Sequence, residues 1–250
     1  MMMRFANYKK MGVIFLSSCL STGSVFAQSD DFGLWSEVNV EKKINRDWSL
    51  EGGVEFRTRD NVGEADRWSA GLGVEYRLTD WLKGGVGYML IDDHRYKVND
   101  SGKKYADFWG LRHRVNLSLT ASKTWGALSV SLRERWQYTY RPSKTVTRYY
   151  TATGSTPGAE ADEHTYSCKG KNVWRNRLQV KYKVSKMLRP YASVETSVAE
   201  SLEKVRYAAG TEIRLSKQHW LNAGYLYQTT HGDDDEGNSH VVSIGYTYKF

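Results

Sequence analysis

The chain has 250 residues and a formal net charge of +8, with 40% hydrophobic and 26% charged residues and a mean hydropathy of −0.61. Beyond its first 27 residues it holds no apolar run of the roughly 18 residues a membrane helix needs, which excludes a transmembrane helix there. The charge is basic but mixed in sign, and the lack of a dense Lys/Arg block excludes a nucleic-acid arm.

Residues 1–27 read as an export signal. Arg4, Lys9 and Lys10 form a basic start, an apolar stretch runs from Gly12 to Ala27, and Val25 and Ala27 are the small-residue positions before a cut at Gln28. A competing reading takes Leu16 to Cys19 (LSSC) as a lipoprotein box with Cys19 as its lipid site, although the apolar character continues past Cys19. Residues 28–250 then form one domain. Losing the leader removes three bases and no acids from totals of 36 and 28, which leaves a net charge of +5. Cys168 becomes the only cysteine, so no intramolecular disulfide staples the fold.

Nine Trp and seventeen Tyr against three Pro suit strands with one apolar face. Period-2 alternation predicts eleven strands, at about 32–44, 48–59, 67–79, 82–92, 108–121, 126–141, 172–184, 188–199, 204–216, 220–230 and 239–250. Their outward rows begin with Trp48, Leu50, Val54 and Phe56, followed by Trp68, Leu72, Val74 and Tyr76. Leu111, Val115, Leu117 and Leu119 repeat the pattern, as do Trp174, Leu178, Val180 and Tyr182. Glu, Arg, Lys, Ser, Thr, Asn and Gly fill the opposite rows.

Short turns are expected at 45–47, 79–80, 122–124, 185–187 and 216–218, with longer polar loops between them, the largest from Pro142 to about Lys171. Short turns on one rim and long loops on the other describe an all-β, antiparallel transmembrane barrel of about 10–12 strands, with the turns periplasmic and the loops extracellular. Trp48, Trp81, Trp125 and Trp220 all follow short turns, and an interface girdle is expected of them. A soluble sandwich or lipocalin-like barrel would also alternate, but with the apolar rows inside and the charges outside.

The final stretch, VVSIGYTYKF, sets Val242, Ile244, Tyr246, Tyr248 and Phe250 on one face and Val241, Ser243, Gly245, Thr247 and Lys249 on the other. Together with the export signal and the Trp-rimmed hairpins it resembles the Gram-negative outer-membrane β-barrel proteins. That resemblance implies a place in the cell outer membrane, contact with its lipid and lipopolysaccharide, and an assembly signal in Tyr246, Tyr248 and Phe250 read by the barrel-assembly machinery. The opening DFGLWSEVNVEKKINRDWSLEGGVEFR (31–57) is similar to that of a poorly characterised barrel family carrying only a domain-of-unknown-function label. Eleven strands depart from the class, whose single-chain bacterial members have even numbers. A miscount, a parallel contact between the first and last strands, or a partly luminal N-terminal strand would each account for it.

The inward rows carry the unusual chemistry. Arg57 and Arg59, Arg112 and Arg114, Arg133 and Arg135, and Arg175 and Arg177 form four R-x-R pairs, each about 9–12 residues from its nearest short turn. Arg206, eleven residues from Lys217, joins them in a predicted basic belt at one height of the lumen. Glu37, Glu41, Glu51, Glu55 and Glu75 form an acidic wall on the first three strands.

Three functions stay open. Arg and Glu pair across the lumen and fill it, for a structural or interaction role. Alternatively, facing walls leave a narrow, anion-preferring channel for small solutes. A lipid-modifying enzyme would need a nucleophile and base within hydrogen-bond reach. Ser239 and His240 are adjacent and face opposite ways, His164 stands three residues from Ser167, and His113 lies on the outward face with no evident partner. No P-loop, dinucleotide fingerprint or zinc spacing is present, so no cofactor is expected. Asp233, Asp234, Asp235 and Glu236 offer clustered oxygens to a hard cation but lack the calcium-loop spacing. Residues 151–163 read as a mobile loop.

Overall fold

Most of the short turns are built around one polar side chain. Asn45 Oδ1 accepts hydrogen bonds from the N–H groups of Asp47 (2.9 Å) and Trp48 (2.8 Å). Thr79 Oγ1 does the same for Trp81 (3.3 Å) and Leu82 (3.0 Å), and Ser185 Oγ for Met187 (3.1 Å) and Leu188 (3.0 Å). Ser216 Oγ accepts from Gln218 (3.1 Å) and His219 (3.2 Å). A short acceptor that satisfies the amides two and three residues further on bends the chain within a few residues. The turn expected at 122–124 is corrected. Extended backbone continues through Trp125, and the chain reverses at Gly126–Ala127, where Gly126 has φ +60°. Glycine takes that left-handed conformation without the Cβ penalty of other residues.

The computed structural model describes residues 30–231 and 237–250, and one compact unit spans Asp31–Phe250. Its strands are β1 (Asp31–Lys43), β2 (Trp48–Arg59), β3 (Glu64–Arg77), β4 (Leu82–Val98), β5 (Lys104–Trp125), β6 (Leu128–Arg141), β7 (Lys144–Tyr150), β8 (Glu160–Tyr166), β9 (Lys169–Tyr182), β10 (Leu188–Val198), β11 (Leu202–Arg214), β12 (His219–Thr230) and β13 (Ser239–Lys249). Eleven of them close a ring, with β6 pairing directly to β9 and every contact antiparallel except the last. β13 meets β1 in parallel, from Asp31↔Ser239 to Glu41↔Lys249. The Asp31 N–H donates to Asn238 C=O (3.0 Å) at one end of this seam, and the Phe250 N–H to Glu41 C=O (2.9 Å) at the other. The odd strand count therefore stands, and parallel closure is its explanation.

The stretch 142–171, expected as a loop, contains β7 and β8. This hairpin pairs with the barrel sheet through Lys104↔Tyr150 and Tyr105↔Tyr149, and side chains add the Lys104–Asp162 ion pair (3.2 Å) and the stacking of Phe108 on Tyr166. Cross-strand contacts hold it, Arg148 Nε to Asp162 (2.8 Å) and Thr145 to Thr165 (2.7 Å), and charged strands of this length carry too little alternation to read as strands. β4 and β5 also run past their predicted limits at 92 and 108, pairing as far as Val98↔Tyr105.

Burial is inverted relative to a soluble barrel. Leu72 is 74% exposed and Ile244 51% on the outward rows, whereas Asp93, Arg95, Gln137, Glu195 and Gln228 are buried. An apolar exterior around a polar interior is the arrangement of a membrane barrel. Carboxylates also stand on the outward rows: Glu134, whose register partners are Leu119 and Asn176, and Asp92, whose partners are Trp68 and Leu111. Trp48, Trp81 and Trp125 are each about half exposed beside the turn rim. Trp220 is a correction to the expected girdle: it pairs with Thr247 on the inward row, and the guanidiniums of Arg189 and Arg214 lie 4.7 and 5.6 Å from its ring. With Leu221 and Tyr225 outward, the strand's parity turns residue 220 inward. His219 takes the outward place instead, its Nδ1 2.6 Å from the Tyr246 hydroxyl, and Tyr248 packs edge-on against Phe250.

The parallel seam is testable with nitroxide labels in a Cys168→Ser background. Labels at Val40 and Tyr248, which are register partners, should broaden one another strongly. Labels at Val40 and Val242, about 20 Å apart at roughly 3.3 Å per residue, should not. The reverse pattern in the electron paramagnetic resonance spectra would exclude this closure.

Candidate functional site

An arginine on an inward row carries its charge across the lumen on a flexible stem, and its planar fork matches a carboxylate. Two buried carboxylates, neither singled out from the sequence, gather the lumen's arginines. Asp93 of β4, 2% exposed, meets Arg67 (2.6 Å), Arg95 (3.3 Å) and Arg112. Glu195 of β10, 6% exposed, meets Arg133 (2.7 Å), Arg206 (3.5 Å) and Arg175. Glu195 was legible as an inward residue of a predicted strand, while Asp93 fell one residue beyond the expected end of its strand.

The other belt residues take several roles. Arg133 faces Arg177 and Arg135 faces Arg175 across β6 and β9, and Arg57 faces Arg67 across β2 and β3. Arg59 leaves the belt for the loop rim, where it meets Glu64 (3.2 Å), Asp66 (3.8 Å) and His94 Nδ1 (3.3 Å). The Arg114 Nε donates to Thr139 Oγ1 (3.0 Å). Among the described residues, Arg114, Arg135 and Arg177 have no carboxylate at ion-pair distance.

The acidic wall is assembled by register, with Glu37 opposite Glu55 and Glu41 opposite Glu51. Facing like charges are unfavourable unless cations intervene. Arg57 binds Glu55 (2.8 Å), Lys249 binds Glu41, Lys83 reaches Glu75 (3.4 Å), and Arg135 acts on Glu51 electrostatically. Trp35, absent from the expected site, lies between the walls. The Arg57 guanidinium is 3.7 Å from its ring centroid and that of Arg206 5.2 Å, so one indole face system holds cations from β2 and β11. Its odd-numbered place in the row of Glu37 and Glu41 was the available signal.

The lumen has two unlike halves. Toward the loop rim lies a cavity of about 750 Å³, lined among the described residues by thirteen Lys or Arg and four Asp or Glu. Its lining reaches down to Arg57, Arg114, Arg175 and Arg206. Toward the turn rim, Lys181 binds Glu212, Trp220 stacks with its two arginines, and Tyr191 leans over Gly210 and Gly224 while donating to Asn222 (3.0 Å). A side chain at Gly210 would meet the Tyr191 hydroxyl at 2.7 Å, so the glycines form the notch that admits the ring.

The candidate catalytic groups are kept apart. The His240 ring packs on Tyr227 at 4.8 Å and its Nδ1 meets Tyr225 on the outward face, while Ser239 lines the cavity. His113, expected to lack a partner, has one in the Tyr88 hydroxyl at 2.7 Å. Cys168 is exposed, and Asp233, Asp234, Asp235 and Glu236 lie outside the described residues. Beyond the barrel wall, hydrogen bonds from Arg148 hold the Asp162 carboxyl down at about 2.

Residues 32–239 match the profile of a family described as "Protein of unknown function (DUF2490)". No curated protein matches. Solved structures similar to this chain include the β domain of the Bordetella autotransporter BrkA, at 15% identity over 82% of each chain with a TM-score of 0.51. The translocator domain of the autotransporter NalP from Neisseria meningitidis is 14% identical over 83% of this chain and 77% of its own, with a TM-score of 0.58. The NanC porin is 13% identical over 88% of this chain and 98% of its own, with a TM-score of 0.50. At these identities the likeness is one of fold.

Two outcomes follow from these charges. Glu195→Gln leaves three guanidiniums without their shared carboxylate and should cost about 3–5 kcal/mol of stability, read as a lower urea midpoint of the detergent-folded protein. An unchanged midpoint would mean that the triad contributes nothing. In the β7–β8 hairpin Asp162 has a depressed pKa, so its contribution is present above the unfolded value of about 3.9 and is lost as pH falls through about 2. Amide exchange in β7 should therefore be unchanged between pH 7 and 5 once corrected for intrinsic rates, and Asp162→Asn should quicken it.

Proposed function

The chain belongs to the family described as "Protein of unknown function (DUF2490)", and we propose that it is an outer-membrane β-barrel that admits small anions through a narrow lumen. The observation carrying this reading is the cavity of about 750 Å³ with, among the described residues, thirteen bases against four acids. A cleft of one sign with low-dielectric walls concentrates counter-ions, and rings of Arg or Lys favour anions. The apolar outward rows and the half-exposed tryptophans beside the turn rim support the membrane setting. So does the fold shared with a porin and two autotransporter domains.

In this reading residues 1–27 direct export and are removed, the turns are periplasmic, and lipid and lipopolysaccharide surround the outward rows. Tyr246, Tyr248 and Phe250 are then offered to the barrel-assembly machinery during insertion. Catalysis has no part in the proposal, because Ser239 and His240 lie on opposite faces of β13.

A second reading has its own observation. The ion pairs and the Tyr191 packing of the turn half favour a barrel filled at that height, open only as a vestibule. Planar bilayers separate the two. The refolded protein, identified by faster migration before boiling on SDS gels, should give small conductance steps and a reversal potential on the anion side in a KCl gradient. Arg114→Ala with Arg135→Ala, which leaves both carboxylate triads intact, should weaken that preference. Absence of current would leave the filled barrel.

A further inference from the structure

A carboxylate held by three guanidiniums occurs twice in this lumen, at Asp93 and at Glu195. Between these triads stands Arg114. It has one hydrogen bond, to the Thr139 hydroxyl, and the charges acting on it most strongly are those of Arg67, Arg175, Arg57 and Arg112, all cations. Arg206 is acted on by Arg175, Arg57 and Arg67 as well, with Glu195 as its carboxylate. Arg57, Arg67, Arg114, Arg175 and Arg206 all line the cavity. Five guanidiniums from β2, β3, β5, β9 and β11 thus converge on the floor of one cavity.

We propose that this floor is a binding site for a small polyanion, a solute carrying two or more carboxylate or phosphate groups. The inference rests on the cationic vestibule of the preceding reading and names the ligand class it takes. Three features select that class over a simple halide.

The floor uses arginine, while lysines (Lys97, Lys169, Lys171 and Lys204) line other parts of the cavity. A guanidinium binds an oxyanion through two parallel N–H donors, which a spherical ion cannot receive in the same way. The five cations also come from strands spaced around the ring, β2 and β3 across from β9 and β11 with β5 between them. Together they offer more N–H donors than a single carboxylate can accept, so a ligand that satisfies them carries more than one anionic group. Finally, Trp35 positions two of the arginines, Arg57 at 3.7 Å and Arg206 at 5.2 Å from its ring. Holding the forks in place before the ligand arrives lowers the ordering cost of binding. A cavity of about 750 Å³ is in the range of sites for small organic molecules, roughly 300–1,000 Å³.

Isothermal titration calorimetry of the refolded full chain in zwitterionic detergent at low ionic strength tests the site. Citrate probes the carboxylate arm, inorganic pyrophosphate the phosphate arm, and chloride is the comparison. Saturable one-site binding of citrate or pyrophosphate is expected, with chloride at least tenfold weaker, and the arm that binds more tightly identifies the preferred group. Arg114→Ala should weaken binding tenfold or more, and Arg114→Lys should restore only part of the loss, because it returns the charge without the fork. Arg189→Ala, beside Trp220 in the other half, should leave binding unchanged. If Arg114→Ala does not give the heat-modifiable band of the folded barrel, Arg57→Gln reads the same floor from β2.

No saturable binding of either polyanion, chloride binding as tightly, or full rescue by lysine would each overturn the site. Calorimetry does not depend on current. Polyanion binding without conductance would therefore retain the site and remove the passage, and conductance without polyanion binding would do the opposite.

Discussion

The parallel ladder between β1 and β13 is the contact on which the rest of this structure depends. In hydrocarbon no water is available for an open sheet edge, and each unsatisfied backbone group costs several kcal/mol. Ten antiparallel contacts bring the sheet round, but an odd number of strands sends the first and last in the same direction. The closing contact then has to be parallel, with slanted hydrogen bonds that are slightly weaker per residue. Its length, from Asp31↔Ser239 to Glu41↔Lys249, spreads that weakness over the full strand, and the Lys249–Glu41 pair ties the turn-rim end.

Closure also decides what the inward rows must do. Once the ring is shut, side chains from non-neighbouring strands share one narrow interior, and charges that were remote in sequence become neighbours. Like charges face each other on both walls, Arg133 with Arg177 and Glu41 with Glu51. Either wall alone would be costly. The two become compatible because Glu195 draws together arginines from β6, β9 and β11, Asp93 those from β3, β4 and β5, and Arg135 acts on Glu51. Arg114, left over after this neutralisation, and the bases nearer the loop rim, such as Lys97, Arg141 and Lys169, make the loop-side cavity cationic.

The filled lumen and the anion passage, rivals when only the strands are known, occupy different heights of one barrel. The turn half is packed by Tyr191 in its glycine notch and by the Trp220–arginine stack, so it gives rigidity. The loop half is roomy, basic and framed by the tall β4–β5 pair. Function, on the reading proposed, follows from this asymmetry: the wide half collects the ligand and the packed half limits what can go further.

Alternation by itself determined where the eleven barrel strands lie, though not their ends, together with their apolar face and the inward side of every R-x-R pair, because a strand's period of two is a local property of the backbone. The sequence also contained the odd count that required an unusual closure. It could not say which explanation held, since closure depends on the curvature accumulated over eleven strands. Strand parity places both Trp35 and Trp220 on inward rows, whereas distance from a turn fixes a tryptophan's height and not its face. The triads around Asp93 and Glu195, the β7–β8 hairpin and the partner of His113 were decided only by the tertiary structure. Each depends on how strands register against one another, and register is set by the closed sheet as a whole rather than by any one segment.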